Sequence, residues 1–282
     1  MTEKAKSARR VEIGALTALT MAGAAVGMVA AGAAQANSGW PAPDGLVWLA
    51  DSSSEGGEGG EGGEGGESGH TAEAGTSVGF LTNLALIEGH LHAGVALYKA
   101  GHADHAKSHM KHPQDEIYTD LLPQLQAIGA EDFAAELQAL SDAVAAGSAE
   151  EAVDAALAAV LKEIDEAREH SHAAEADEAL AIAALVHRAG EEYGVGVVDG
   201  TLADAHEYQD AWGFVQVARA LADHMAGEDD EKEKAFGQAA QAALAALDPA
   251  FPGVMPDGVI AGDAGLVLSA AATIEFAAYG LR

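Results

Sequence analysis

The chain has 282 residues, with 45 acidic side chains against 14 Lys and Arg, a net charge of −31, and no cysteine. Such a charge disfavours nucleic acid and anionic surfaces as partners and favours cations, although a salt-adapted source would produce the same acidity. Without cysteine there are no disulfides, thiolate zinc sites or covalently attached c-type haem, so any metal must be held by His, Asp, Glu or Met.

Residues 1–36 read as an export signal. Lys4, Lys6, Arg9 and Arg10 precede an alanine-rich apolar run from about Ile13 to Ala33, and Ala34-Gln35-Ala36 matches the small-x-small pattern of a signal peptidase site. The expectation is a periplasmic or secreted protein whose mature form is not membrane-inserted. A retained anchor is the alternative, because the run is almost long enough to span a bilayer. Residues 37–76 follow as a flexible acidic linker. Glu-Gly-Gly recurs four times from Glu55 to Gly66, and a Gly-rich chain with regularly spaced, mutually repelling charges cannot offset the entropy of folding.

From Ser77 onward alanine is abundant, β-branched runs are short, and Gly or Pro falls at intervals suited to helix ends. The pattern predicts an all-α domain over 77–282, built as antiparallel bundles and divisible into sub-bundles at 77–172 and 175–282. Eight helices are expected, at about 77–100, 114–128, 131–146, 149–171, 175–199, 203–226, 230–247 and 263–280. Residues 102–112 form either a short helix of their own or the opening of the second. Pro113 suits the first position of a helix, and Gln114-Asp115-Glu116 places acid in its first turn.

Six of the twelve histidines lie between His90 and His112. His102, His105, His109 and His112 are spaced three, four and three apart, which on a helix keeps the four imidazoles within an arc of roughly 80°. Imidazole is the commonest metal-ligating side chain, so this stripe is the first candidate for metal capture; a polar helix face is the plain alternative. Four i,i+4 His/carboxylate pairs also occur: Glu88 with His92, Glu166 with His170, His187 with Glu191, and His206 with Asp210. Each can chelate a metal or form an ordinary ion pair. Because bundle sites draw ligands from facing helices, Glu88, His92, His187, Glu191, Glu207 and Asp210 are expected to supply a second site. His90 points away from His92 on a helix. His170, His172 and His224 fall in last helical turns, where a cationic side chain favours the dipole.

The donor set favours iron, copper, zinc, nickel or manganese, and an open stripe would favour copper. Haem ligation by one of these histidines is a further alternative. No nucleophile elbow, phosphate loop or HExxH is present.

One segment resembles a known family. Glu192-Tyr193-Gly194-Val195-Gly196-Val197-Val198-Asp199-Gly200, continuing to Glu207-Tyr208-Gln209-Asp210-Ala211-Trp212-Gly213-Phe214, resembles the extracytoplasmic helical domain of bacterial high-affinity iron permeases. The matching positions are Tyr193, Val197, Asp199, Gly200, Glu207, Tyr208 and Asp210. More loosely, the chain is similar to imelysin-like periplasmic iron-uptake proteins. The permease's own Arg-Glu-x-x-Glu transport motif is missing. The resemblance implies a periplasmic metal-binding accessory to uptake, with metal ions and an inner-membrane permease as partners. Two alternatives stand beside it: a di-metal carboxylate ferroxidase, and a non-metal helical interaction module on a flexible arm.

Overall fold

A computed structural model describes residues 75–282, except for the side chains of Asp115 and Glu116. The export signal at 1–36 and nearly all of the linker at 37–76 lie outside the described residues. The helices are α1 (Ser77–Lys99), α2 (Ala103–His112), α3 (Thr119–Ile128), α4 (Ala134–Ala145), α5 (Glu150–Ser171), α6 (Glu175–Gly196), α7 (Ala205–Ala226), α8 (Glu231–Ala245) and α9 (Ala264–Ala278). The all-α expectation holds, and the predicted helices start and stop within a few residues of the observed ones.

Helix α1 is the centre of the molecule. Thr76 caps it by accepting a hydrogen bond from the Gly79 N–H at 3.0 Å. Apolar side chains occur all round it, so it is buried on nearly every face and packs against α2, α5, α6 and α7. It ends at Gly101, where φ is +85°, with His102 N–H bonded to Leu97 O and Gly101 N–H to Tyr98 O. That pair of bonds turns the chain sharply and sends α2 back along α1.

Residues 102–112 do form their own helix, but it does not stop there. Pro113 takes right-handed helical angles, φ −56° and ψ −38°, and a π-helical segment, Pro113–Tyr118, carries the chain into α3. Proline has no N–H to continue the i→i−4 ladder, so the backbone widens at this point.

The helix expected to run to 199 ends at Gly196. Val197–Val198 and Thr201–Leu202 instead pair as a two-residue antiparallel hairpin, β1 and β2, with Val197 opposite Leu202 and Val198 opposite Thr201. Asp199 and Gly200 have φ of +52° and +71°. These left-handed angles at both central residues are what a tight Asp-Gly turn requires, and they rule out continuing the helix. The Gly196 carbonyl then accepts from Ala203 N–H (2.8 Å) and Asp204 N–H (3.2 Å), and Asp204 caps α7 by accepting from His206 N–H at 2.9 Å.

Behind the hairpin, Tyr193, Tyr208 and Phe251 pack together, and the Tyr208 hydroxyl donates to Gly253 O at 2.8 Å. Helix α9 with its terminal turn, Ala264–Leu281, is long and apolar enough to cross a bilayer by length and composition. It packs here against α6 and α8 and leaves Phe276 exposed.

Candidate metal centre

Five ligand-bearing side chains converge where α1, α2 and α7 meet. Two glycines let α1 and α7 approach closely. A Cβ on Gly213 would strike the backbone of Gly89, and a Cβ on Gly89 would strike the Phe214 ring. The close crossing brings His90, fully buried on α1, against Asp210 in the second turn of α7. Gly94 likewise lets α2 in, since a Cβ there would meet Met110 and His109. His109 and His112, one turn apart at the end of α2, then face the same carboxylate, and His206 joins them from the first turn of α7.

Asp210 is buried at the middle. Its Oδ1 lies 2.6 Å from His90 Nδ1 and 2.9 Å from His109 Nδ1, and its Oδ2 lies 3.2 Å from His206 Nδ1. The ligand atoms of His90, His109 and Asp210 lie within 4.8 Å of one another, and so do those of His112, His206 and Asp210. The His90 ring meets Phe214 edge-on at 5.1 Å, closing the inner side of the cluster. Among the described residues, the ion-pair partners of Asp210 are all histidines.

The surroundings of His109 favour a bound cation. Its Nε2–H donates to Gln209 Oε1 at 2.9 Å, while the Gln209 amide points at Met255 Sδ, 3.7 Å away. With Nε2 holding the proton, Nδ1 of the neutral ring presents a lone pair to Asp210 Oδ1. Two electron-rich atoms 2.9 Å apart repel unless a proton or a metal ion lies between them. Burial, opposed by Asp210, holds His109 below its ordinary pKa of 6.5, which disfavours the proton. His206 behaves differently: burial pulls it down, but Asp210 more than offsets that and leaves it raised. Asp210, despite burial, is held well below the usual carboxylate range by His90 and His109. His206 Nε2 is buried and has no hydrogen-bond partner among the described residues. A lone carboxylate, a fixed imidazole lone pair and an unsatisfied ring nitrogen fit a transition metal.

The other residues singled out from sequence lie elsewhere. His102 and His105 are half-buried near the start of α2, their rings 6.4 Å apart. A helix rises about 1.5 Å per residue, so the stripe from His102 to His112 is roughly 15 Å long and cannot close on one ion. Glu88 faces away from the centre and is ion-paired with Arg168, which also binds Asp165 at 3.0 Å; His92 Nε2 stands 3.6 Å from Glu88. Burial raises the Glu88 pKa, but Arg168 and His92 overcome that and hold it at about 2. His187 is exposed 3.8 Å from Glu191, and Arg188 contacts both Glu191 and Glu192. Glu207 is half-buried in the first turn of α7, where its charge raises the His206 pKa. His170 is exposed, with its ring on the Glu166 carbonyl at 2.8 Å.

His90 and His206 complete the cluster without having been ranked as ligands from sequence. For His206 the signal was present, as the i,i+4 partner of Asp210. For His90 the available signal was its position, between Gly89 and Leu91 on a helix apolar all round, where a polar side chain must find a buried partner.

No curated protein and no solved structure matches the chain. A family model does match, over residues 170–278, from the end of α5 to the end of α9, and it bears out the resemblance carried by Tyr193 through Asp210. His206, Gln209 and Asp210 fall inside the matched segment, and His90, His109 and His112 lie on helices before it. Over this part of its length the chain matches the family described as the iron permease-associated 4-helix bundle domain.

Proposed function

We propose that this chain is an exported transition-metal-binding protein that captures iron at the α1–α2–α7 seam as an accessory to an inner-membrane metal permease. The observation that carries the reading is the buried Asp210 carboxylate ringed by imidazoles, in groups of two histidines and one carboxylate oxygen. That donor set suits ferrous iron with coordination positions left open. The iron permease-associated domain supplies the biological direction. The signal-like sequence at 1–36 is what favours export, and the net charge of −31 draws cations to the surface. Copper and zinc fit the same ligands, and the domain match is what favours iron.

The test is elemental analysis of the chain purified from its native periplasm, followed by anaerobic titration of the metal-stripped chain with ferrous ion. Retained iron that is lost in Asp210→Asn is the expected result. A chain recovered in the cytoplasm, or one that retains no transition metal in either experiment, would overturn the proposal.

A further inference from the structure

Resting on that reading, we infer that the centre holds two cations rather than one, with Asp210 as the bridge between them. One ion takes His90, His109 and Asp210 Oδ1, and the other takes His112, His206 and Asp210 Oδ2.

The geometry of the rings separates His109 from His206. His109 and His206 are stacked, with centroids 4.3 Å apart and planes only 5° apart. The lone pair of a ring nitrogen lies in the ring plane, so these two rings direct their lone pairs along nearly parallel sheets that do not meet at one point. A single ion cannot accept in-plane donation from both. The rings inside each group are inclined instead. His112 is tilted 41° to His206 at 4.4 Å, and His90 is tilted 32° to His109 at 6.2 Å. Inclined planes intersect, and a metal can sit on the intersection. His90 and His112 are also inclined, by 54° at 5.8 Å. The stack therefore assigns only His109 and His206 to different ions, and the grouping of the donor atoms assigns the other two.

The carboxylate divides in the same way. Oδ1 faces His90 and His109 at 2.6 and 2.9 Å, whereas Oδ2 faces His206 at 3.2 Å. A carboxylate whose two oxygens face imidazoles of different groups is an arrangement that can join two ions. Among the described residues the two groups share no other ligand. Each offers three protein donors, which leaves positions open for water or for cargo passing through.

The experiment uses the full metal-stripped chain and Co²⁺, whose absorption and paramagnetic resonance report both number and coupling, with anaerobic Fe²⁺ as a parallel probe. Binding of about two equivalents per chain is expected, the pair magnetically coupled, with His109→Gln and His206→Gln each retaining about one uncoupled equivalent. His206 is partly exposed, so if His109→Gln fails to fold, His206→Gln alone carries the test. One equivalent in the unaltered chain, abolished by either substitution, overturns the two-ion centre and leaves the single-ion reading standing. Two equivalents that neither substitution reduces also overturn it, because the ions then lie elsewhere. No binding at all overturns the reading on which it rests.

Discussion

Glu88 and His90 sit two residues apart on the same buried helix and lead into two different polar clusters. Glu88 meets Arg168, a fixed cation from α5, and the carboxylate is held at a pKa of about 2. His90 meets Asp210, whose ion-pair partners among the described residues are histidines, groups that lose their charge near neutral pH. The first cluster carries its own counter-ion within the chain. The second is matched only when protons or metal ions are supplied from outside. Both are buried and both contain an i,i+4 His/carboxylate pair, so burial and spacing alone do not distinguish a structural ion pair from a metal centre. The source of the positive charge does.

The largest expected effect lies in the cluster that carries its own counter-ion. Arg168→Ala strands a fully buried carboxylate at Glu88, and loss of one partner of a buried pair costs about 3–5 kcal/mol. Urea unfolding of the metal-free chain measures it. Metal affinity of the fraction that remains folded should be unchanged; if it falls with stability, the two clusters are not independent.

Asp210→Asn tests the other side. The substitution keeps the shape and removes the charge, so metal affinity should fall by at least about 100-fold, with a loss of metal-free stability smaller than that of Arg168→Ala, because Asp210 also contributes through its histidine pairs. A large loss of stability with affinity preserved would move Asp210 into the same class as Glu88.

Much of this was legible in the sequence, and the residues that were not share a cause. Helix positions follow from local signals, alanine-rich segments with Gly or Pro near their ends, although Pro113, which suits the first position of a helix, instead opens a π-helical segment in a path that continues from α2 into α3. The hairpin at Val197–Leu202 was hidden because its strands are two residues long, too short for alternation to show. At the site, His109, His112 and Asp210 were nameable from spacing along single helices. His90 was not, because periodicity says which residues share a face and nothing about which neighbour that face meets. The Gly89–Gly213 crossing decides that, and it joins residues more than a hundred positions apart. For the same reason Glu88, which spacing pairs with His92, belongs in space to Arg168.

A smaller effect is expected at Gln209, which touches no proposed metal position but accepts the His109 Nε2–H. Gln209→Leu leaves that donor unsatisfied and frees the ring to change tautomer or rotate. Loss of such an orienting partner typically lowers metal affinity about 10–100-fold. Calorimetry with Zn²⁺ checks it, and Gln209→Glu, which keeps an acceptor oxygen, should restore most of the loss. Equal losses in both variants would mean the amide only fills space.

The smallest effect separates the clusters by pH, in the metal-free chain. Glu88 is held below its ordinary 4.5, so its contribution to stability is fully present above pH 4.5 and is lost as pH falls toward about 2. Asp210, also lowered, acts in the same direction. His206 is raised above 6.5, so its contribution is present below pH 6.5 and is lost as pH rises through its folded value. His109 is lowered, so its contribution is present above pH 6.5 and is lost as pH falls through its folded value. The alkaline-side loss therefore belongs to His206 alone among these groups. Urea midpoints measured from pH 3 to 9 should decline above pH 6.5 in the unaltered chain and lose that decline in His206→Gln, while the part of the acid limb that belongs to Glu88 remains in both. Saturating Zn²⁺ should also abolish the decline, because a bound ion supplies at all these pH values the positive charge that the His206 proton supplies only at the lower ones. A decline that survives both the substitution and the metal would place its origin outside the centre.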